Sequence, residues 1–261
     1  MNALFARKVL LNREALLILT FLFWCVSSFT LAQDSQTRPR RVVRERKVSL
    51  IKPAPAPKAK PKVVTVAEII EAKEKLAAMG YWLTKSEDSY RQALVAFQKV
   101  QELKPTGKLS LEDLEVLRAA QAPTPKERQT LAEGKIRVEV DLRRQVLFVV
   151  DHENLVTKIL PISSGNGKEF KSEGFARDAI TPPGRFNVYN KIKGWKKSPL
   201  GMLYYPNYYL SGLAIHGSTF VPAYPDSHGC VRIPMYAAEE FFKMMIIGTE
   251  ILIHSPVEAK E

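Results

Sequence analysis

The chain has 261 residues, 46% of them hydrophobic and 9% aromatic, which is enough apolar material for a buried core and excludes wholesale disorder. Its formal charge is +12, but residues 1–62 carry thirteen Lys and Arg against Glu14, Asp34 and Glu45, so +10 sits there and only +2 on the remaining 199 residues. A near-neutral body behind a basic leader argues against a nucleic-acid-binding fold, which would concentrate Lys and Arg on the folded part.

Arg7, Lys8 and Arg13 precede the apolar run Ala15–Val26, and small residues lead to Thr30-Leu31-Ala32 before Gln33. This reads as a secretory signal over 1–32, cleaved after Ala32. The alternative is an uncleaved signal anchor, because Leu16 to Ala32 is just long enough to span a bilayer. Either form exports the body to a periplasm or cell wall, free or membrane-tethered, and membrane contact is confined to the leader. Cys25 lies in this leader, and no small-residue lipobox precedes it. Cys230 is therefore the only cysteine of the body, and no intramolecular disulfide is available to it. In an oxidising compartment such a thiol is either buried and inert or kept for use.

Residues 33–64 form a basic linker whose Pro/Lys/Ala tract, Lys52 to Lys62, favours extended polyproline conformation. Helical periodicity follows at Val66–Met79, stopped by Gly80, then at about Ser89–Leu103, and again from Ser110, a capping residue, through Arg118. These predict a small three-helix domain over 65–121. A Pro/Thr-containing linker occupies 122–134. Beyond it the period changes to two, with Ile136, Val138 and Val140 and then Val146, Phe148 and Val150, separated by a turn at Asp141-Leu142-Arg143-Arg144. Further strands are expected at Leu155–Ile162, Gly184–Tyr189, Gly212–His216 and Glu250–His254, with a helix at Met235–Met245. The fold class is thus a mainly-β, sandwich-like domain over 135–255, preceded by the helical domain and followed by a short tail, 256–261. Ser163-Ser164-Gly165-Asn166-Gly167-Lys168 is glycine-rich, but Glu169 stands where a phosphate-binding loop needs Ser or Thr, so it is read as a turn.

Two of the four histidines crowd the body's cysteine, in Ile215-His216-Gly217-Ser218 and Ser227-His228-Gly229-Cys230-Val231-Arg232. A thiol is a poor nucleophile until it loses its proton, and a nearby imidazole supplies a base and a stabilising cation. Gly229 lets a substrate carbonyl approach the amides beside the sulfur, where two N–H groups could hold an oxyanion. If the stretch is extended, Arg232 shares a face with Cys230 and could meet a substrate carboxylate. A zinc hydrolase built on His216, His228 and Cys230 is the rival reading, but no HExxH or CxxC spacing accompanies them. His152 and His254 receive no role. Five of the nine tyrosines (Tyr189, Tyr204, Tyr205, Tyr208, Tyr209), with Trp195, lie just before His216, either as a lid on a cleft or as ordinary packing.

Thr181-Pro182-Pro183-Gly184-Arg185-Phe186, Ala214-Ile215-His216-Gly217 and Ser227-His228-Gly229-Cys230-Val231-Arg232 together resemble the YkuD-type L,D-transpeptidase catalytic domain, in the family's order. Leu76–Tyr81, Ala93–Gln98 and Thr106–Leu109 resemble the type 1 peptidoglycan-binding domain, with Lys85-Ser86-Glu87-Asp88 in place of its usual Asp-Gly turn. The first resemblance implies a peptidoglycan cross-linking enzyme with Cys230 as nucleophile, His216 as base and the Gly217 carbonyl orienting the imidazole. His228 and Gly229 are then auxiliary or oxyanion groups, and Ser227 and Arg232 touch substrate. It implies neither metal nor cofactor. Its substrates would be donor and acceptor stem peptides, joined 3→3 through a thioester, with glycan strands as further partners and no nucleic acid. Water as acceptor would instead make an L,D-carboxypeptidase or endopeptidase. A chain using only the helical domain would be a non-catalytic wall-binding protein.

Overall fold

The computed structural model describes residues 63–172 and 174–256. The expected leader, most of the first linker and the end of the tail lie outside them. The described residues belong to one compact unit. Among the described residues no helix is long and apolar enough to cross a membrane.

Three helices come first: α1 (Val66–Ala78), α2 (Glu87–Val100) and α3 (Leu111–Ala119). Each starts on a hydroxyl cap, as the unpaired N–H groups of a helix start require. Thr65 with Glu68 and Ser110 with Asp113 close reciprocal capping boxes on α1 and α3, while Ser86 caps α2, which starts two residues earlier than expected. The strands are β1 (Arg137–Asp141), β2 (Val146–Val150), β3 (Val156–Pro161), β4 (Glu169–Ser172), β5 (Phe175–Asp178), β6 (Gly184–Asn187), β7 (Asn190–Lys191), β8 (Trp195–Ser198), β9 (Gly201–Leu210), β10 (Leu213–Ser218), β11 (Val231–Pro234) and β12 (Glu250–His254). A fourth helix, α4 (Met235–Met244), joins the last two strands.

One sheet has the order β3-β2-β1-β12-β6, with β1 and β12 parallel. A second runs β11-β10-β9-β7, with β8 also on β9 and β10 parallel to β11. Val138, Val140, Leu147 and Val149 of the first sheet share one apolar core with Ile215, Val231 and Ile233 of the second and Ala237, Ala238 and Phe241 of α4. This mainly-β sandwich behind three helices is the architecture expected from the sequence.

The alternation in β2 is only half of its story. Val146, Phe148 and Val150 face away from the sandwich core and pack with Leu76, Leu94, Phe97, Leu114 and Leu117 of the helices in a second apolar cluster. All five residues of β2 are buried, because helices cover the face that period two would leave to water. The segment after α1 adds to the weld: Ile159 N–H donates to Gly80 O at 2.8 Å, and Trp82 N–H donates to Ile159 O at 3.0 Å. Trp82 itself reaches the sandwich core.

The segment expected as a linker before β1 also lies against the sheet. Arg137, Glu139 and Asp141 alternate with the core valines of β1 and are fully buried. Arg137 is paired with Glu139 at 2.9 Å and donates to Glu127 O, while Lys126 N–H donates to Glu139 at 2.9 Å. Hydrogen bonds thus replace water on a charged face.

Because helices and sheet share one core, they unfold together. Phe148→Ala is expected to cost about 3–5 kcal/mol and to leave a single calorimetric transition. Two separable transitions, one helical and one β, would contradict this arrangement.

Strand β9 is not foreseen in the sequence, where its tyrosines are read as a lid or as the packing of a connection. Pro206 fits because the β9–β10 register slips between Ile215↔Asn207 and Gly217↔Tyr204, with Tyr205 at φ +50°. The buried Asn207 amide fills the irregularity, donating to Tyr205 O at 3.2 Å.

Candidate active site

Cys230 stands one residue before β11, which runs parallel to β10 with Ile215 beside Val231 and His216 beside Arg232. In this register His216 and Arg232 are cross-strand neighbours, and Cys230 precedes Arg232 by the two residues that return a side chain to the same face. Cys230, His216 and Arg232 all line one cleft of about 950 Å³. Strands β4 and β5 supply Phe170, Ser172, Arg177 and Asp178 to it, and β8 and β9 supply Lys196, Lys197, Ser198 and Met202.

His216 is only 4% exposed, and its Nδ1 lies 2.9 Å from Gly217 O. A carbonyl can only accept, so Nδ1 carries the proton and Nε2 keeps its lone pair. Burial, opposed by that hydrogen bond and aided by the Arg232 charge, pushes His216 down to about 4, so the imidazole is neutral at pH 7. The conformation depends on Gly217: a Cβ there would meet Ala238 Cβ at 2.6 Å, where α4 backs onto β10.

Cys230 is half-buried, with Sγ 4.0 Å from Gly212 O. Burial raises its pKa above the ordinary thiol value, and the Ala214 N–H and the Arg232 guanidinium only partly offset this. The pair at rest is therefore a thiol and a neutral imidazole. Such a pair can form thiolate by proton transfer as the nucleophile attacks.

The turn carrying the sulfur is fixed from three sides. The Ser227 hydroxyl donates to Cys230 O at 2.5 Å and accepts from Gly229 N–H at 3.0 Å. Thr181 Oγ1 donates to Gly229 O at 2.7 Å and accepts from Gly165 N–H at 2.9 Å. Ser164 O accepts from both Asp226 N–H and Ser227 N–H. Gly229 sits at φ +128°, and a Cβ there would approach Ile180 O to 2.8 Å.

These contacts revise several expectations. The Gly229 N–H is bound to Ser227 and is not a free oxyanion donor. Ser227 is 2% exposed, and its hydroxyl holds the turn instead of presenting itself to substrate. Arg232 pairs with Asp226 at 3.2 Å, so it shares its charge with a carboxylate of the chain. His228 is exposed, with its ring 4.7 Å from that of Phe170 across the mouth of the cleft. Of the aromatic group before His216, Tyr208 lines the cleft. Trp195, Tyr204 and Tyr205 meet in series, tilted and then edge to face, and continue edge to face onto Phe242. Tyr205 and Tyr209 are buried packing on the second sheet. Thr181, Ser164, Arg177, Lys196 and Lys197 were not singled out from the sequence. The Thr181-Pro182-Pro183-Gly184 motif was visible, but its contact with Gly229 spans 48 residues.

The YkuD family model, described as the L,D-transpeptidase catalytic domain, matches residues 135–253. An L,D-transpeptidase from Xylanimonas cellulosilytica is 33% identical, with a TM-score of 0.66, covering 77% of this chain and 100% of that one. One from Stackebrandtia nassauensis is 20% identical, with a TM-score of 0.43, covering 76% and 95%. One from Enterococcus faecium is 25% identical, with a TM-score of 0.36, covering 46% and 50%. Among curated proteins none matches. The family match falls on the sandwich that carries the Cys230 turn, and the one-third-identical structure is matched along its whole length, helices included. By these findings the chain belongs to the YkuD-type L,D-transpeptidase family and is a cysteine-dependent acyltransferase of peptidoglycan.

Proposed function

We propose that this enzyme joins stem peptides 3→3 through a thioester on Cys230. The observation that carries the reading is the cleft shared by Cys230 and a His216 whose Nδ1 is committed to Gly217 O, which leaves Nε2 as the base. Cys230 Sγ attacks the carbonyl of the third residue of a donor tetrapeptide as Nε2 takes the thiol proton. The C–N bond to the terminal D-alanine breaks, and that proton leaves with its amine. An acceptor amine then attacks the thioester carbonyl and gives its proton to Nε2. The C–S bond breaks, and the departing sulfur regains a proton. With Gly229 engaged, the amide of Cys230 itself is the donor we assign to the oxyanion. The basic leader and tether suit work at the wall outside the cytoplasm.

Incubation with a tetrapeptide-stem muropeptide should add one donor acyl mass to Cys230, located by peptide mapping. An adduct elsewhere, or turnover unaffected by loss of Cys230, would overturn the reading.

Stem peptides carry several carboxylates, and the cleft offers Arg177, Lys196 and Lys197, which have no ion pair among the described residues. We assign these three cations to substrate carboxylates. Lys196→Glu/Lys197→Glu should raise KM roughly tenfold at low salt, less at high salt, with kcat changed little. An unchanged KM at low salt would remove the lysines from the binding surface.

A further inference from the structure

Lys99 is a buried cation outside the site just described. It lies on α2 at 6% exposure, and its Nζ donates to Gln145 O at 3.0 Å and Ile162 O at 3.1 Å. No carboxylate pairs with it among the described residues, and burial pushes its pKa down to about 7. A buried ammonium satisfied only by carbonyls is a costly way to pack a helix on a sheet.

Its partners lead toward the sulfur. The Gln145 side chain holds Ser164 in both directions, donating to Ser164 Oγ at 2.8 Å and accepting from Ser164 N–H at 2.9 Å. Ser164 O accepts from Asp226 N–H at 3.0 Å and Ser227 N–H at 2.9 Å. Ser227 in turn bonds both Gly229 N–H and Cys230 O. Gln145, Ser164 and Ser227 are each under 5% exposed, so water cannot replace a missing partner.

We infer that Lys99 is a positioning residue for the acyl transfer: through Gln145 and Ser164 it sets the Ser227–Cys230 turn, making the helical segment part of the catalytic apparatus. This rests on Cys230 as the nucleophile. A turn displaced by a fraction of an ångström misaligns the attacking sulfur without emptying the cleft, so kcat should suffer and KM should not.

The test compares Lys99→Met, Gln145→Gly, their double variant and Leu117→Ala in the full chain. Glycine suits position 145, where φ is +55°. Leu117 is buried where the helices pack on the sheet but takes part in none of these hydrogen bonds, so its truncation loosens packing without breaking a link to the turn. Lys99→Met and Gln145→Gly should each lower kcat roughly tenfold with KM within about twofold. The double variant should fall no further than the worse single. Leu117→Ala should lower Tm comparably and keep kcat. Unchanged kcat in Lys99→Met, additive losses in the double variant, or an equal kcat loss in Leu117→Ala would each overturn the inference. If Lys99→Met does not fold, Lys99→Gln, whose shorter side chain cannot hold both carbonyls, replaces it in the comparison with Leu117→Ala and is read by the same outcomes. Wild-type turnover that survives Cys230→Ser would overturn the nucleophile and this inference together, whereas turnover lost in Cys230→Ser but intact in Lys99→Met would overturn only this one.

Discussion

Cys230→Ala should abolish acyl transfer, a loss of about 10⁴-fold or more, while leaving the fold intact. The side chain is half-buried and small, so its truncation removes the sulfur and little packing. The turn around it is held by main-chain and Ser227 bonds that the substitution does not touch. The expected result is an unchanged circular dichroism spectrum and Tm, with no thioester detectable by mass spectrometry. Measurable cross-linking by this variant would show that the sulfur is not the nucleophile. Cys230 is the only cysteine among the described residues, so a thiol reagent labelling the folded body at one site reports the same atom.

His216 should produce the second largest effect and a distinctive pH profile. Loss of a general base costs roughly 10²–10⁴ in rate, so His216→Ala should lower kcat by about three orders of magnitude. Because burial holds His216 at about 4, the imidazole remains a base well below the ordinary histidine range. The acid limb of kcat/KM should fall near pH 4 instead of near 6.5. Cys230 is shifted upward, so alkylation of the free enzyme by iodoacetamide should be slow at pH 7 and accelerate with alkali. An acid limb near 6.5 with rapid alkylation at neutral pH would point to a resident thiolate–imidazolium pair instead.

The same burial predicts a stability change. The folded pKa of His216 lies below its unfolded value of 6.5, so between those values the unfolded chain binds more protons. The contribution is full above about pH 6.5 and is lost as pH falls toward 4. Replacing His216 with Gln should flatten the dependence of Tm on pH over that interval.

Much of this was open to inspection in the linear chain. Caps at Ser110 and the stop at Gly80 are local chemistry, readable because the helix ends are satisfied within three or four residues. The cysteine signature was equally local, since Ser227 to Arg232 is one continuous segment. Strand β9 was hidden because Pro206 usually interrupts pairing, and only a bulge opposite β10 accommodates it. The hairpin β4–β5 was hidden because its residues are exposed or half-buried, so no apolar alternation marks them. The charged residues of β1 alternate with its valines, yet Arg137, Glu139 and Asp141 are buried beneath the segment 126–129.

The sequence by itself determined the class of protein, the order of its helices and sandwich, and the segments that carry Cys230 and His216, since motifs and periodicity record local demands on each residue. Tertiary structure alone decided what each polar group is free to do. Ser227 and the Gly229 amide, both expected at the substrate, are occupied by one another. Lys99, unremarkable in its helix, is fixed on carbonyls leading to the Cys230 turn, and Arg177, Lys196 and Lys197 converge on the cleft from separate hairpins. Hydrogen-bonding capacity is exhausted by whichever partner folding brings near, and such partners stand 46 and 63 residues from Lys99 along the chain.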